Sequence, residues 1–253
     1  MELNRIYNED CLEGMKRIPD GSVDMILCDL PYGTTACSWD AIIPFDQLWE
    51  QYERVIKDDG AIVLFGSEPF SSHLRLSNIN KYKYDWVWDK KKAGNIFLAA
   101  YQPMKTHESI SVFSKGKHNY FPIMVEREKI KVSKNYGTGE TMGGKKEKED
   151  KLYIYNEKYP ISIIEFSNAS QRGKFHPTQK PVALFEYLIR TYTNKNETVL
   201  DNCMGSGTTA IACMNTERNF IGFELDKTYY EKSLERIKEH TTQTDIFDVL
   251  EDN

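Results

Sequence analysis

VDMILCDLPYG, residues 23–33, is the stretch that decides the expected fold. Its first six residues are mostly apolar and predict a buried strand. Pro31 and Gly33 cannot easily continue a β ladder, so we expect the chain to turn directly after Asp29. An acid, a proline and an aromatic residue therefore stand at the carboxyl end of a strand, which is the edge where open α/β sheets bind ligands.

The residues of this turn suit the recognition of a planar amino group. The Asp29 carboxylate and the Leu30 carbonyl can accept its two hydrogens, while Pro31 fixes φ and stiffens the turn. Tyr32 offers a flat face on which a heteroaromatic ring can stack. An ordinary strand-to-turn junction, with Tyr32 as packing at the rim, would also explain these residues.

The composition is typical of a soluble protein. The 253 residues suit one large α/β domain or a core with an insertion. The net charge of −5 gives no global signature of a nucleic-acid binder, so a polyanion would have to meet a local basic face. The five cysteines form no CxxC pair, the start has no apolar signal core, and no apolar run approaches ~20 residues. We therefore expect a cytoplasmic protein with reduced thiols and no membrane contact.

A second motif lies near the other end of the chain. Residues 198–201 predict a strand that runs into the glycine-rich sequence NCMGSGTTA, residues 202–210, and then into a helix. Glycines let the backbone approach a ligand closely, and a helix N-terminus favours negative charge. The next predicted strand, residues 220–223, ends at Glu224, which can accept hydrogen bonds from a ribose diol.

The glycine-rich motif leaves other functions open. Residues 205–210 also fit the G-x-G-x-x-(G/A) dinucleotide fingerprint, which would indicate a nicotinamide-dependent oxidoreductase. Too little chain follows Glu224 to build the usual six-strand nucleotide fold, so earlier segments must complete the sheet. A catalytically inactive cofactor-binding or DNA-binding module is a third alternative, which the intact Asp29, Pro31 and Tyr32 disfavour.

Further elements follow from apolar spacing. Residues 45–56 predict a core-facing helix, ended by Asp58-Asp59-Gly60, and residues 61–65 predict a buried strand. Residues 227–240 predict a closing helix, with a loose acidic tail behind it. Asp10 is a candidate N-cap for a short helix over residues 11–18.

Residues 115–151 differ from the rest of the chain. They contain ten basic and six acidic residues, a local charge of +4 in a chain of −5. One interpretation is a solvated insertion. The other is a recognition segment that lies on phosphates and reads base edges. Residues 153–166 then predict short β structure returning to the core.

Three motifs in this order resemble those of the β-type amino DNA methyltransferases, which modify adenine N6 or cytosine N4. DLPYG is similar to the catalytic motif (Asp/Asn/Ser)-Pro-Pro-(Tyr/Phe/Trp), with Leu30 in place of the first proline. HPTQKP, residues 176–181, is similar to a motif that packs against the methionine end of the cofactor, although a helix-start turn would also fit. The glycine-rich sequence from Asp201 matches the family's cofactor loop, and His107-Glu108 resembles a stretch that we interpret as structural or substrate-adjacent.

The resemblance implies a doubly wound, mostly parallel, seven-stranded sheet of the Rossmann-like class I methyltransferase fold, with helices on both faces and a circularly permuted motif order. The Asp29 strand and residues 61–65 should lie near its centre. Residues 1–114 would form the catalytic half, 115–170 a target-recognition insert, 171–242 the cofactor-binding half and 243–253 an acidic tail.

The resemblance also implies S-adenosylmethionine as the cofactor, double-stranded DNA as the partner and no metal. The catalytic candidates are Asp29, Leu30, Pro31 and Tyr32. The cofactor candidates are Asp10, His176, Thr178, Lys180, Asp201, Met204, Gly205, Ser206, Gly207, Thr208 and Glu224, although capping alone would also explain Asp10. The DNA-binding candidates are Lys90, Lys91, Lys92, Arg127, Lys129, Lys131, Lys145 and Lys146.

The implied reaction is methyl transfer to the amino nitrogen of a base that has been flipped out of the duplex. Tyr32 would stack on the base, and Asp29 and the Leu30 carbonyl would accept its amino hydrogens, without a covalent enzyme intermediate. Asp at position 29 favours adenine over cytosine within the family, and cytosine N4 remains the alternative. A homodimer and a cognate restriction endonuclease remain open as partners.

Overall fold

The computed structural model describes residues 1–33, 40–134, 152–168 and 179–251. They form two compact units, one of Met1–Phe121 with Ser162–Asn253 and one of Pro122–Ile161. The strands are β1 (Arg5–Tyr7), β2 (Val23–Cys28), β3 (Ile56–Gly66), β4 (Tyr82–Asp89), β5 (His107–Phe113), β6 (Val125–Lys134), β7 (Leu152–Lys158), β8 (Ile163–Glu165), β9 (Thr198–Asp201) and β10 (Asn219–Phe223). The helices are α1 (Cys11–Met15), α2 (Phe45–Val55), α3 (Phe70–Ser77), α4 (Val182–Tyr192), α5 (Thr208–Asn215) and α6 (Lys227–Glu251).

The first unit is built on one sheet with the strand order β1-β10-β9-β2-β3-β5-β4-β8. The β3–β5 and β4–β5 pairs are antiparallel, and the other pairs are parallel. The expected mostly parallel sheet is therefore confirmed, with β2 and β3 at its centre. Eight strands are present among the described residues, because the short strand β8 pairs with β4 beyond the seven that the resemblance implied.

Alternating side chains of the central strands feed two separate cores. Met25 and Leu27 of β2 belong to the core closed by α4 and α5. Ile26 and Cys28 belong to the core closed by α1, α2 and α3. This period of two puts apolar side chains on both faces of the strand, so helices must cover both faces.

The pairing of β2 with β9 brings distant parts of the chain together. Met25 lies beside Val199 and Ile26 beside Leu200, in parallel register. Parallel neighbours end at the same edge of a sheet, so Asp29 after β2 and the glycine-rich loop after β9 emerge side by side. This arrangement is the permuted order that the motifs predicted.

Two predicted boundaries are wrong. Asp58-Asp59-Gly60 was expected to end the helix before a strand over residues 61–65, but α2 ends at Val55 and β3 begins at Ile56 and runs through these residues. The pairing with β2 steps from Val23–Ile56 directly to Met25–Ala61, so residues 57–60 form a bulge opposite Asp24 within the strand. The closing helix was expected to end at His240, but α6 continues to Glu251.

The second unit is an antiparallel hairpin of β6 and β7. Val125 pairs with Lys158 and Lys131 with Tyr155, with a register shift between Glu126 and Lys131. Within the parts of the chain that the structure describes, no helix has both the length and the apolar character needed to cross a bilayer.

Gly14 yields a test of how α1 packs on the sheet. A Cβ at Gly14 would lie 2.2 Å from Cε1 of Phe223, whose ring is fully buried. We expect Gly14→Ala to destabilise the protein by about 1–3 kcal/mol through overpacking. This cost exceeds the gain of about 1 kcal/mol that alanine brings in helix propensity.

Urea unfolding measures the effect, and Glu13→Ala is the control because Glu13 is exposed on the same helix. The control should stay within about 0.5 kcal/mol of the wild type. A Gly14→Ala protein as stable as the wild type would show that α1 does not pack closely on Phe223.

Candidate active site

A cavity of about 830 Å³ opens where the central strands end. Its lining comes from the segments that follow β2, β9 and β10 and from the first turns of α1, α5 and α6. The volume falls within the range of small-molecule and cofactor sites, roughly 300–1,000 Å³. Both sequence motifs therefore contribute to one cavity.

The DLPYG turn is held by side chains that contact Asp29. The Tyr32 hydroxyl donates to Oδ1 of Asp29 at 2.7 Å, and Nζ of Lys180 lies 2.5 Å from Oδ2. The Tyr32 ring stacks on Phe70 with a centroid distance of 4.9 Å. Leu30 is buried, so its backbone is fixed by packing rather than by the proline usual at this position.

Asp29 is one end of a chain of alternating charges. Lys180 also lies 3.5 Å from Glu108, and Lys90 contacts Glu108 at 3.2 Å. Burial would lower the pKa of Lys180, but the carboxylates of Asp29 and Glu108 outweigh it and raise this pKa. Burial would raise the pKa of Glu108, yet Lys180 and Lys90 together bring it below its ordinary value. For Asp29, burial dominates and raises the pKa despite Lys180.

Two buried acids fix the glycine-rich loop. Asp201 accepts hydrogen bonds from the backbone N–H of Cys203 at 3.0 Å and from the Thr209 hydroxyl. Glu224 accepts the backbone N–H of Gly205 at 2.7 Å and that of Asp226 at 2.9 Å. Burial raises the pKa of Asp201 to about 6 and also raises that of Glu224, against the hydrogen bonds that stabilise both charged forms.

The donors and acceptors of this cavity fit the cofactor that the resemblance implies. A carboxylate has about four acceptor positions, so Glu224 keeps some free for ribose hydroxyls after binding two backbone N–H groups. Gly205 has a φ of 54°, which a glycine adopts readily, and its backbone faces the cavity without a side chain. Asp10 caps α1 through the N–H groups of Leu12 and Glu13 and also lines the cavity.

Most of the candidate residues meet in this cavity. Its lining includes Asp29, Leu30, Pro31, Tyr32, Asp10, Lys180, Asp201, Met204, Gly205, Ser206, Thr208, Glu224 and Lys90. Gly207 does not line it, because Gly207 is the N-cap of α5 and faces Ser233 of α6. His176 and Thr178 lie outside the described residues. The ligand contacts of the whole set stay predictions.

Lys180 has a different environment from the one expected. The HPTQKP motif suggested a cofactor contact, whereas the ammonium group lies between two carboxylates and is almost fully buried. Nothing in the sequence indicated that Lys180 pairs with Asp29, because the two residues are far apart in the chain. Glu108, interpreted only as structural or substrate-adjacent, joins the same group.

The DNA-binding candidates differ in their environments, since some form ion pairs and others are exposed. Lys90 pairs with Glu108 inside the cavity, and Lys91 pairs with Glu165 at 2.7 Å, while Lys92 is exposed. In the second unit, Arg127 donates to the Glu157 carbonyl, and Lys129 and Lys131 are exposed. Lys145 and Lys146 lie outside the described residues.

Asp226 is a cavity residue that sequence analysis missed. It accepts the backbone N–H groups of Thr228 and Tyr229 at the start of α6. An acid directly before a predicted helix is an N-cap signature, so this signal was available. Asp40, which binds the N–H of Gly33 at 2.9 Å, had no comparable signal.

Comparison with known proteins identifies relatives along most of the chain. A family model described as a DNA methylase matches residues 23–235. The type II methyltransferase M.HpaI of Haemophilus parainfluenzae is 27% identical over 259 residues, which cover 96% of this chain and 77% of that relative. DNA adenine methyltransferase YhdJ of Escherichia coli (strain K12) is 28% identical over 251 residues, covering 93% and 83%.

A solved methyltransferase structure has a similar fold. The crystal structure of the M1.HpyAVI–SAM complex aligns with a TM-score of 0.64 and 27% identity, over 92% of this chain and 98% of that one. This likeness confirms the expected class I methyltransferase fold.

Lys180 gives a prediction about stability. Replacing it with methionine leaves the largely buried Asp29 without its cation and Glu108 with Lys90 alone, which should cost about 3 kcal/mol near neutral pH. Without Lys180 the pKa of Asp29, already raised by burial, rises further, and Glu108 loses one of the two cations that lower its pKa, so the folded protein binds protons more readily. The loss should therefore shrink as pH falls and both carboxylates become protonated.

Urea unfolding of Lys180→Met between pH 5 and 8 measures this. Lys16→Met is the matched control, because Lys16 pairs with Glu13 and both side chains are more than half exposed. The control should change stability by less than about 1 kcal/mol at any pH. A loss in Lys180→Met that does not depend on pH would contradict the electrostatic role.

Proposed function

This chain belongs to the DNA methylase family, and we propose that it transfers a methyl group from S-adenosylmethionine to the exocyclic N6 of an adenine flipped out of double-stranded DNA. The observation that carries the proposal is the single cavity in which the DLPYG turn faces the glycine-rich loop. Membership of this family leaves the nicotinamide-dependent alternative without support.

The part of the cavity lined by the glycine-rich loop and Glu224 would hold the cofactor. Glu224 would accept the ribose hydroxyls while it keeps the Gly205 N–H in place, and Asp10 would lie near the adenine ring. S-adenosylmethionine supplies, when bound, an electrophilic methyl group on a positively charged sulfur. The acidic side chains that line the cavity would favour a cation there.

The part of the cavity lined by the DLPYG turn would hold the target base. One face of Tyr32 already stacks on Phe70, and the opposite face is proposed to stack on the flipped base. Asp29 and the Leu30 carbonyl would accept the two amino hydrogens, which keeps the nitrogen lone pair directed at the methyl group. Lys180 is proposed to keep Asp29 oriented and ionised. Catalysis would then come from positioning and electrostatics rather than from a covalent enzyme intermediate.

The choice of adenine rests on two supports. Asp stands at position 29, which favours adenine among relatives of this type, and one relative is named a DNA adenine methyltransferase. Cytosine N4 remains the second candidate, because the family model covers both N6 and N4 methylation. A second copy of this chain and a cognate restriction endonuclease are the further partners that we propose.

Nucleotide-resolution mapping of modified bases tests the reaction and the base together. DNA from cells that lack their own DNA methylation but express this chain should carry N6-methyladenine in one sequence context. N4-methylcytosine in its place would overturn the choice of adenine. Absence of any new modification, together with no binding of S-adenosylmethionine in calorimetry, would overturn the function itself.

Two substitutions should separate chemistry from cofactor binding. Asp29→Ala removes the amino-group acceptor and should lower methyl transfer by about 100-fold or more. Its affinity for S-adenosylmethionine should change little. Glu224→Ala should weaken cofactor binding by about tenfold or more, because charged hydrogen bonds are lost.

Asp58→Ala serves as the control, since the Asp58 side chain is 97% exposed and outside the cavity. Calorimetry with S-adenosylmethionine and transfer of a tritiated methyl group to DNA give the two readouts. Wild-type turnover in Asp29→Ala would show that the role given to Asp29 is wrong.

A further inference from the structure

The loop between β4 and β5, residues 90–106, carries an exposed apolar tip. The tip consists of Ile96, Phe97, Leu98, Tyr101 and Met104. Phe97 is 94% exposed, Tyr101 86% and Ile96 71%. Single exposed apolar residues are common on soluble proteins, but a contiguous group of this kind marks an interaction site.

The tip is held by an ordered backbone. The Lys90 N–H donates to the Thr106 carbonyl at 2.9 Å, and the Gly94 N–H donates to the Lys105 carbonyl at 2.9 Å. A 3₁₀ turn, Ile96–Leu98, follows Asn95, which has a left-handed backbone conformation with a φ of 59°. The backbone therefore holds the apolar side chains of the tip outward, rather than leaving them on a disordered segment.

The loop leaves the sheet at the edge of the cavity. β3 and β4 are both antiparallel to β5, so β4 runs parallel to β3 and ends at the same edge. Lys90, the first residue of the loop, and Glu108, the second residue of β5, both line the cavity. Phe97 is seven positions after Lys90 in the chain, so the tip lies within roughly 25 Å of the cavity rim.

The charge of the loop matches a polyanion. Residues 90–106 contain four lysines and no acidic residue, although Lys90 and Lys91 form ion pairs with acids outside the loop. Lys92 is exposed and makes no ion pair with any residue that the structure describes. Lysines beside an apolar wedge are what proteins use when they contact phosphates and insert a side chain between base pairs.

We propose that Phe97, at the apex of this tip, inserts into the DNA base stack at the place vacated by the target base and keeps the duplex open, while Lys92 contacts a flanking phosphate. This inference rests on the proposed function. Unstacking and unpairing the target cost free energy, and an aromatic ring in the vacated place recovers part of the lost stacking. Phe97 is thus a positioning residue that acts on the duplex and not on the reacting atoms.

The test compares two substrates that differ only in whether the target base is paired. One is a 30-base-pair duplex carrying the mapped site, and the other places an abasic residue opposite the target. Phe97→Ala should lower single-turnover methyl transfer by about tenfold on the paired duplex and by much less on the unpaired one. With 2-aminopurine in place of the target, the fluorescence rise on binding should fall in parallel. Phe97→Trp should restore both signals.

Leu76→Ala is the control, because Leu76 is 71% exposed on α3 and belongs to a different surface. It should behave as the wild type. Lys92→Gln should lower the slope of log affinity against log salt by about one unit. Binding of S-adenosylmethionine should be unchanged in every variant.

Three results would overturn the inference. Equal loss on both duplexes would place Phe97 in chemistry or folding, and no loss on either would remove its role. Conversion of a wild-type dimer to a monomer by Phe97→Ala, seen in light scattering, would make the tip a contact between two copies of this chain. A wild-type protein that methylates neither duplex would instead contradict the proposed function.

Discussion

The parallel pairing of β2 with β9 is the contact on which the rest of the site depends. The two strands come from opposite ends of the chain, and their backbone hydrogen bonds set how Asp29 stands relative to the glycine-rich loop. A slip of one residue would exchange the side chains of the two faces, so both cores would oppose it. The register of the sheet therefore also fixes the geometry of the cavity.

A buried ammonium group makes the acidic half of this cavity stable. Asp29 and Glu108 would repel each other in a low-dielectric interior, and Lys180 lies between them. Lys90 neutralises the remaining charge on Glu108. The acid at the DLPYG turn thus belongs to a group of two anions and two cations, in which Lys180 opposes the rise that burial causes in the pKa of Asp29.

The sequence was sufficient where a local pattern determines the outcome. The apolar strand before Asp29, the glycines after Asp201 and the acid at Glu224 were all identified from neighbouring residues. Partners across the fold were not, because nothing near Lys180 indicates that it contacts Asp29. The predicted start of β3 was wrong for a related reason. Its acidic stretch looks like a break between elements until the pairing of Ile56 with Val23 is known.

The antiparallel pairing of β4 with β5 determines where this fold can accept insertions and deletions during evolution. Because β4 and β5 form a hairpin, the chain leaves and re-enters the sheet at neighbouring positions of one edge. Residues can be gained or lost between them without shifting any other strand. New contacts with the substrate can therefore evolve in this loop while the strands and loops that form the cavity stay unchanged.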